Sequence, residues 1–410
     1  MKDYDIYTLS NGIRVIHKQV THTKIIHCGF ILDVGSRDEN IHNQGIAHFW
    51  EHMAFKGTSK RKAYHIMNLL ESHGGELNAY TTKEKITFYA SVLQNHFEKA
   101  FDLLSDITFD SIFPEKQIAN ERQVILEEMA MYKDSPDDDL QDEFDDLVFR
   151  NHPLGMNILG VKSTVDKFKK DDFTTFINQN IDTERIVFSC VGNMSFQTVK
   201  KLADKYIGHI PKISSSRKRI SFNSYIPQSK VVEKNVLQSL CAMGLPTYSN
   251  NDERRLPFYM LVNILGGPGM NSRLNMELRE KHGLVYTVDA NYSSFSDTGL
   301  FSIFFGTEPK QMKKSIDVVK KELKKLRLTP LGNKQIHVAK EQLKGQLAMA
   351  EENNVGLMLA IGKSLIDRGY IDSLESIFNQ IDNVTSKQLQ DLANEMFDDK
   401  LFSYLTYTPD

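Results

Sequence analysis

Lys116-Gln-Ile-Ala-Asn-Glu-Arg-Gln-Val-Ile-Leu-Glu-Glu-Met-Ala-Met131 and Lys334-Gln-Ile-His-Val-Ala-Lys-Glu-Gln-Leu-Lys-Gly-Gln-Leu-Ala-Met349 open and close on the same residues, 218 positions apart. Each reads as one long helix preceded by β-like runs and a shorter helix. In the first half the runs are residues 12–17, 25–34 and 87–93, with helical stretches at 64–73 and 97–109. In the second half, runs at 236–244, 285–292 and 300–305 alternate with helical stretches at 256–265 and 310–328. The same order met twice predicts an α+β fold of two homologous domains, each a mainly antiparallel sheet with helices packed on one face. The first domain is residues 1–210 and the second is 229–410. Residues 211–228 between them are polar and Ser-rich and read as a linker.

The 410 residues suit two domains at ~150 or more each. Fifty Lys plus Arg against 53 Asp plus Glu leave a formal charge of -3, so no global basic field is available for nucleic acid or an anionic membrane. The Arg217-Lys-Arg219 cluster accordingly reads as a solvated part of the linker rather than a nucleic-acid patch, and the acidic stretch 137–146 as a solvated helix start. Cys28, Cys190 and Cys241 are odd in number and apolar-flanked, which argues for free thiols in a reducing compartment. The opening Met1-Lys-Asp-Tyr-Asp-Ile-Tyr7 lacks a signal-peptide layout, and no run of ~18 apolar residues occurs, so the expected location is cytoplasmic.

The chemistry sits in Gly45-Ile-Ala-His48-Phe-Trp-Glu51-His52-Met-Ala-Phe-Lys-Gly57, a His-x-x-Glu-His run on a helical segment closed by a glycine. Histidines four apart lie one above the other on a helix, so both imidazoles can bind one zinc ion with Glu51 beside them as general base. With 13 His in the chain, composition alone yields about 0.02 such runs, so chance is a poor explanation. A catalytic zinc needs a third protein ligand. The helix beginning at Pro114 supplies Glu121 and Glu128, seven apart and therefore on one face. The repeat puts Gln346 at the place of Glu128, and the second half has no His-x-x-Glu-His. Gly266-Gly-Pro-Gly269 is not a phosphate loop, because Met270 stands where a lysine would be needed.

The run 45–58 followed by Glu121-Arg-Gln-Val-Ile-Leu-Glu-Glu128 resembles the inverted-zincin metallopeptidases of the pitrilysin/insulinase type, in particular the mitochondrial processing peptidase β-subunit and its bacterial relatives. Asn11-Gly12, His152-Pro-Leu-Gly155 and Val191-Gly-Asn193 extend the resemblance over nearly the whole chain. It implies that His48, His52 and Glu128 ligate one zinc per chain, that Glu51 activates water and that Glu121 supports the ligand shell. It implies that Asn78-Ala-Tyr-Thr81 is an edge segment on which substrate backbone is held as an added strand, with Asn78, Ala79 and Tyr80 binding it. It implies that Arg279 and Tyr286 donate hydrogen bonds to the developing oxyanion. Trp50 departs from the aliphatic residue usual in relatives and is expected to pack in the core or narrow a pocket.

The resemblance further implies a zinc endopeptidase acting on peptides or unfolded polypeptides inside a dimeric chamber, the zinc of one subunit facing Arg279 and Tyr286 of the other. A homodimer is the simpler form and a heterodimer with a related subunit the other. The alternative is a catalytically silent structural or peptide-binding subunit of the same fold.

Overall fold

The computed structural model describes residues 4–410; the first three residues of the opening stretch lie outside it. The chain forms two compact units. The first comprises residues up to Ala130, Met156–Arg219 and Met349–Ile371; the second comprises Met131–Gly155, Ile220–Ala348 and Asp372–Asp410.

The first unit is built on six strands: β1 (Asp5–Thr8), β2 (Arg14–Gln19), β3 (Ile25–Leu32), β4 (Glu76–Thr81), β5 (Ile86–Leu93) and β6 (Ile186–Gly192). Their order is β1-β2-β6-β3-β5-β4, antiparallel except where β6 runs parallel to β2. The second has five: β7 (Ser229–Lys234), β8 (Ser239–Thr247), β9 (Val285–Ser294), β10 (Gly299–Thr307) and β11 (Ser403–Pro409), ordered β7-β11-β8-β10-β9 with only β11 and β7 parallel. In both, the last strand inserts between two earlier ones and runs parallel to one of them: β6 lies between β2 and β3, parallel to β2, and β11 lies between β7 and β8, parallel to β7. The expected duplication is thus present in topology as well as in sequence.

The helices of the first half, among them α1 (Ile46–Ala54), α2 (Ala63–Glu71) and α3 (Phe97–Phe109), cover one face of the first sheet. Phe101 of α3 lies 4.1 Å from Phe188 of β6, ring centre to ring centre. β6 is buried at every position, which a strand achieves only when both faces of its sheet are covered. Ile186, Phe188 and Cys190 point into the α3 side, and by the two-residue period Val187 and Val191 point the other way. The second face is covered by the helix Asn354–Arg368, through Leu357, Met358, Ile361 and Leu365. Gly362 permits its close approach: a Cβ there would lie 2.3 Å from the Ile31 Cδ1 atom.

The second unit repeats this arrangement. α4 (Glu115–Asp134) leads into α5 (Pro136–Val148), whose Leu140, Phe144 and Val148 pack on Leu240, Ala242, Leu405 and Tyr407 of the second sheet. The 218-residue shift carries α4 onto the helix Asn333–Glu352 and the start of α5 onto the start of Asn354–Arg368. Each sheet therefore has helices on both faces, the second layer supplied from the other half of the sequence. The acidic stretch 137–146 is only partly solvated: Asp139 accepts a 2.6 Å hydrogen bond from the Tyr407 hydroxyl and pairs with Lys234.

Residues 211–228 form no regular element, but the reading of the arginine cluster as solvated is corrected. Lys218 is exposed, whereas the Arg217 and Arg219 side chains are 6% and 12% accessible. Arg219 reaches Asp33 and Asp38, each at 2.9 Å, and Glu84 at 3.5 Å; Arg217 reaches Asp33 and Asp38 at 3.1 Å. Burial works against ionisation of Asp33, yet Arg219 and Arg217 hold its carboxyl below the usual range. The buried carboxylates had no visible partner in the sequence, and they draw the arginines in. Among the described residues, no helix is long and apolar enough to cross a membrane.

Removing one member of a buried ion cluster leaves its partners uncompensated, which costs about 3–5 kcal/mol. Arg219→Ala is expected to lose stability on that scale in urea unfolding. A loss below about 1 kcal/mol would match a solvated surface arginine instead.

Candidate metal centre

α1 is fixed at its start by backbone constraints. Gly45 has φ +91°, and a Cβ on it would lie 2.5 Å from the Leu159 carbonyl oxygen, so only glycine fits. The buried Glu39 carboxylate accepts from the Gly45 and Ala47 amides, both at 2.8 Å, satisfying two donors that a helix start leaves open. Burial pushes this carboxyl up to about 8, against the opposing pull of those two amides. Ile46, Phe49, Trp50 and Met53 anchor α1 in the core. Trp50 is 1% exposed and packs edge-on against Phe88 and Phe176, so it fills the core and narrows no pocket.

The remaining face of α1 carries His48, Glu51 and His52. The ring centres of the two histidines are 4.5 Å apart. Glu128 of α4 meets both: its Oε1 lies 3.8 Å from His48 Nε2 and its Oε2 3.5 Å from His52 Nε2. One ligand atom from each of the three residues can be chosen so that all lie within 4.8 Å of one another. Neighbouring ligands of a tetrahedral zinc, with bonds near 2.1 Å, are separated by ~3.4 Å, so this set fits the ion with small side-chain movements.

The protonation states also fit. Burial, with His52 nearby, lowers the His48 pKa to about 3, so this imidazole stays neutral, as a metal ligand must be. Its Nδ1 is buried without a hydrogen-bond partner. His52 Nδ1 lies 3.0 Å from Glu121 Oε1, and Lys56 Nζ lies 2.7 Å from Glu121 Oε2. Burial would raise the Glu121 pKa, but His52 and Lys56 bring it below the ordinary value. Glu121 is therefore an ionised acceptor, Nδ1 carries the proton, and the Nε2 lone pair faces Glu128. This separates the two carboxylates of α4: Glu128 faces both imidazoles, and Glu121 orients one of them.

Glu51 Oε2 accepts a 2.6 Å hydrogen bond from the Thr81 hydroxyl. Thr81 ends β4, the edge strand of the first sheet, whose only strand partner among the described residues is β5. Asn78, Ala79 and Tyr80 lie on this edge. A cleft of about 270 Å³ opens beside Glu51 and His52, walled by Phe55, Met67, Leu77 and Ala79. The Tyr80 ring lies 6.2 Å from the Tyr89 ring and 5.0 Å from the Lys363 ammonium, on the face toward the helix Asn354–Arg368, so Tyr80 offers the cleft only its main chain. In the second unit, Arg279 sits in the wide helical turn Asn275–Lys281 and Tyr286 in β9. The guanidinium lies 5.7 Å from the centre of the Tyr286 ring, and Tyr286 is 81% exposed.

Three residues of the centre escaped the sequence reading. Lys56 follows His52 by four positions, a spacing that could have revealed it. Thr81 closes the recognised Asn78–Thr81 segment, but its contact with Glu51 carried no signal. Glu39 lies in a loop and carried no signal.

Comparisons with known proteins bear on the family and the fold. The family described as "Insulinase (Peptidase family M16)" matches residues 14–162, and "Peptidase M16 inactive domain" matches residues 167–343. A Bacillus subtilis protein named "Uncharacterized zinc protease YmxG" is 32% identical over 391 residues, 95% of each chain. A Rickettsia bellii protein named "Uncharacterized zinc protease" is 33% identical over 396 residues, 97% of this chain and 95% of that one. Among solved structures, a protease from Helicobacter pylori superposes with a TM-score of 0.91 at 22% identity, covering both chains fully. A Pseudomonas fluorescens structure titled as a peptidase M16 inactive domain gives 0.89 at 18% identity, over 100% of this chain and 98% of that one. At these identities the two structures speak to the fold.

Partners that orient a metal-bound histidine typically contribute 10–100-fold in affinity. Glu121→Ala is accordingly expected to weaken zinc binding by about that factor in competition with a chelator. Unchanged affinity would remove Glu121 from the support of His52.

Proposed function

The chain belongs to the insulinase family of peptidases, M16, and from that premise we propose that it is a zinc-dependent endopeptidase acting on peptides and unstructured polypeptides. The observation that carries the reading is the convergence of His48, His52 and Glu128 beside the free carboxylate oxygen of Glu51. Zinc held by these three residues would supply Lewis acidity to the scissile carbonyl and to water.

The protein's own groups do the rest. The exposed edge of β4 at Asn78, Ala79 and Tyr80 takes the substrate as an added strand, so main-chain hydrogen bonds give affinity without demanding a particular sequence. Phe55, Met67 and Leu77 offer an apolar wall for one substrate side chain. Glu51 removes a proton from the attacking water and delivers it to the departing amine nitrogen, so no covalent intermediate is required. Arg279 and Tyr286 donate hydrogen bonds to the oxygen that gains negative charge.

In this reading the active form is a dimer closing around a chamber, with Arg279 and Tyr286 of one protomer serving the centre of its partner. Both parts of the machinery occur in one chain, which favours a homodimer over a heterodimer with a related subunit. The three buried, unpaired cysteines support a reducing, cytoplasmic setting. A silent structural or peptide-binding subunit is the rival reading, and the intact His48, Glu51, His52 and Glu128 oppose it.

Glu51→Gln is expected to keep its zinc by elemental analysis while losing about 10²–10⁴-fold in cleavage of a quenched peptide. Activity that survives this change, or survives chelation, would end the proposal. Mixing the Glu51→Gln chain with an Arg279→Ala chain is expected to restore part of the activity. Verified mixed dimers with no recovery would mean that the sites are not shared.

A further inference from the structure

Glu51 belongs to α1, but its carboxylate is held from β4. Among the described residues the Thr81 hydroxyl is its one hydrogen-bond partner, at 2.6 Å from Oε2. The last torsion of a glutamate is broad, so a carboxylate without a fixed donor turns freely between its two oxygens. A hydroxyl on a β-branched side chain, stiff at its first torsion, removes much of that freedom. Oε2 is engaged, and Oε1 is the oxygen left to take a proton.

Thr81 is also well placed to stay still. It pairs with Ile86 across the β4–β5 hairpin. The next residue, Thr82, donates its amide to Lys85 O at 2.7 Å and accepts the Ser36 amide on its own carbonyl at 3.2 Å. The Arg37 amide donates to Lys83 O at 2.7 Å, and the Arg37 guanidinium to Glu84 at 2.7 Å. On its other side Thr81 continues directly into the exposed edge at Asn78–Tyr80. The hydroxyl thus projects from a strand that is pinned at one end and open to an added strand along the other. Thr81 makes no hydrogen bond to His48, His52 or Glu128 in the described structure, so its effect on these groups passes through Glu51 alone.

We propose that Thr81 is a positioning residue for the reaction: its hydroxyl locks the Glu51 carboxylate with one oxygen presented to water, and it ties that orientation to the edge strand on which substrate docks. The inference rests on Glu51 being the general base. The proton taken from water resides on Oε1 and leaves with the amine. Oε2 accepts from Thr81 in both states, because a carboxylic acid retains an acceptor oxygen, and no proton passes between Thr81 and Glu51.

The test compares zinc-loaded full-length wild type, Thr81→Val and Thr81→Ser on one quenched peptide, with Glu51→Gln as the reference for loss of the base. Thr81→Val, which keeps the shape and removes the donor, is expected to lower kcat by about 10–100-fold while KM changes by less than about 2-fold. Zinc per chain should be unchanged, and Thr81→Ser should recover to within about 3-fold of wild type. A readout independent of turnover is the crystal structure of each chain prepared without metal: the Glu51 carboxylate should leave its place in Thr81→Val and keep it in Thr81→Ser. Wild-type kcat in the valine chain overturns the proposal, as does a loss confined to KM, which would reduce Thr81 to an edge-strand contact. Failure of serine to rescue, with Glu51 still in place, also overturns it. Should the valine chain misfold, Thr81→Ala carries the same expectations. Zinc-loaded wild type that cleaves no peptide would remove the base reading and this inference together, whereas an active wild type with an indifferent Thr81 strikes this inference alone.

Discussion

His52 stands between two carboxylates of one helix, and the rest of the centre follows from that. Glu121 accepts a hydrogen bond from Nδ1, and Glu128 faces Nε2. Burial pushes the Glu51 carboxyl up, whereas His52 and Lys56 bring that of Glu121 below the ordinary value. An uncompensated carboxylate away from water costs several kcal/mol, so a cation placed among such acids favours their ionised forms. Two imidazole nitrogens and a carboxylate oxygen converge at one point, and a divalent ion there would offset the negative charge of the carboxylates.

The duplicated scaffold explains why the ligands reach that point. α4 and its counterpart Asn333–Glu352 occupy the same place in the two repeats, and each leads into the helix that seals a sheet from behind. In the first repeat α4 carries Glu121 and Glu128 on one face with the buried Ile118 and Ile125, so packing of the isoleucines sets the depth of the acids. In the second, Gln346 stands at the place of Glu128. One repeat brings two imidazoles and a carboxylate together, and the other carries an exposed arginine and tyrosine on a fold of the same topology.

How much of this was legible varies with the range of the interaction. His48, Glu51 and His52 are fixed by helical spacing, and the two glutamates of α4 by a seven-residue interval, so local periodicity revealed them. What periodicity does not reveal is which surface a helix will find. α5 and the helix Asn354–Arg368 have clear apolar faces, but nothing in those faces says that each covers a sheet whose strands come mostly from the other half of the sequence. One clue was present. Ile186–Gly192 is nearly continuous in apolar residues, the mark of a strand covered on both sides, and it demanded a second layer of helix. The arginines at 217 and 219 were misread for a related reason. Charge composition describes the chain around them, whereas their fate was decided by Asp33, Asp38 and Glu84, far away in sequence.

Those arginines bear on the catalytic chemistry through the β4–β5 hairpin. Its turn is held by the backbone of Ser36 and Arg37 and by Glu84, whose carboxylate meets Arg37 at 2.7 Å and Arg219 at 3.5 Å. Immediately before the turn, Thr81 holds Glu51, and before Thr81 runs the unpaired edge of β4. A strand that must accept another strand cannot be buried, and an exposed edge is by itself a weakly held element. Anchoring it at the turn, through charges buried where water does not screen them, leaves the edge free while the residue that orients the base is kept in place. The linker arginines therefore do more than join two halves: they stiffen the end of the strand on which the proposed substrate and the proposed base meet.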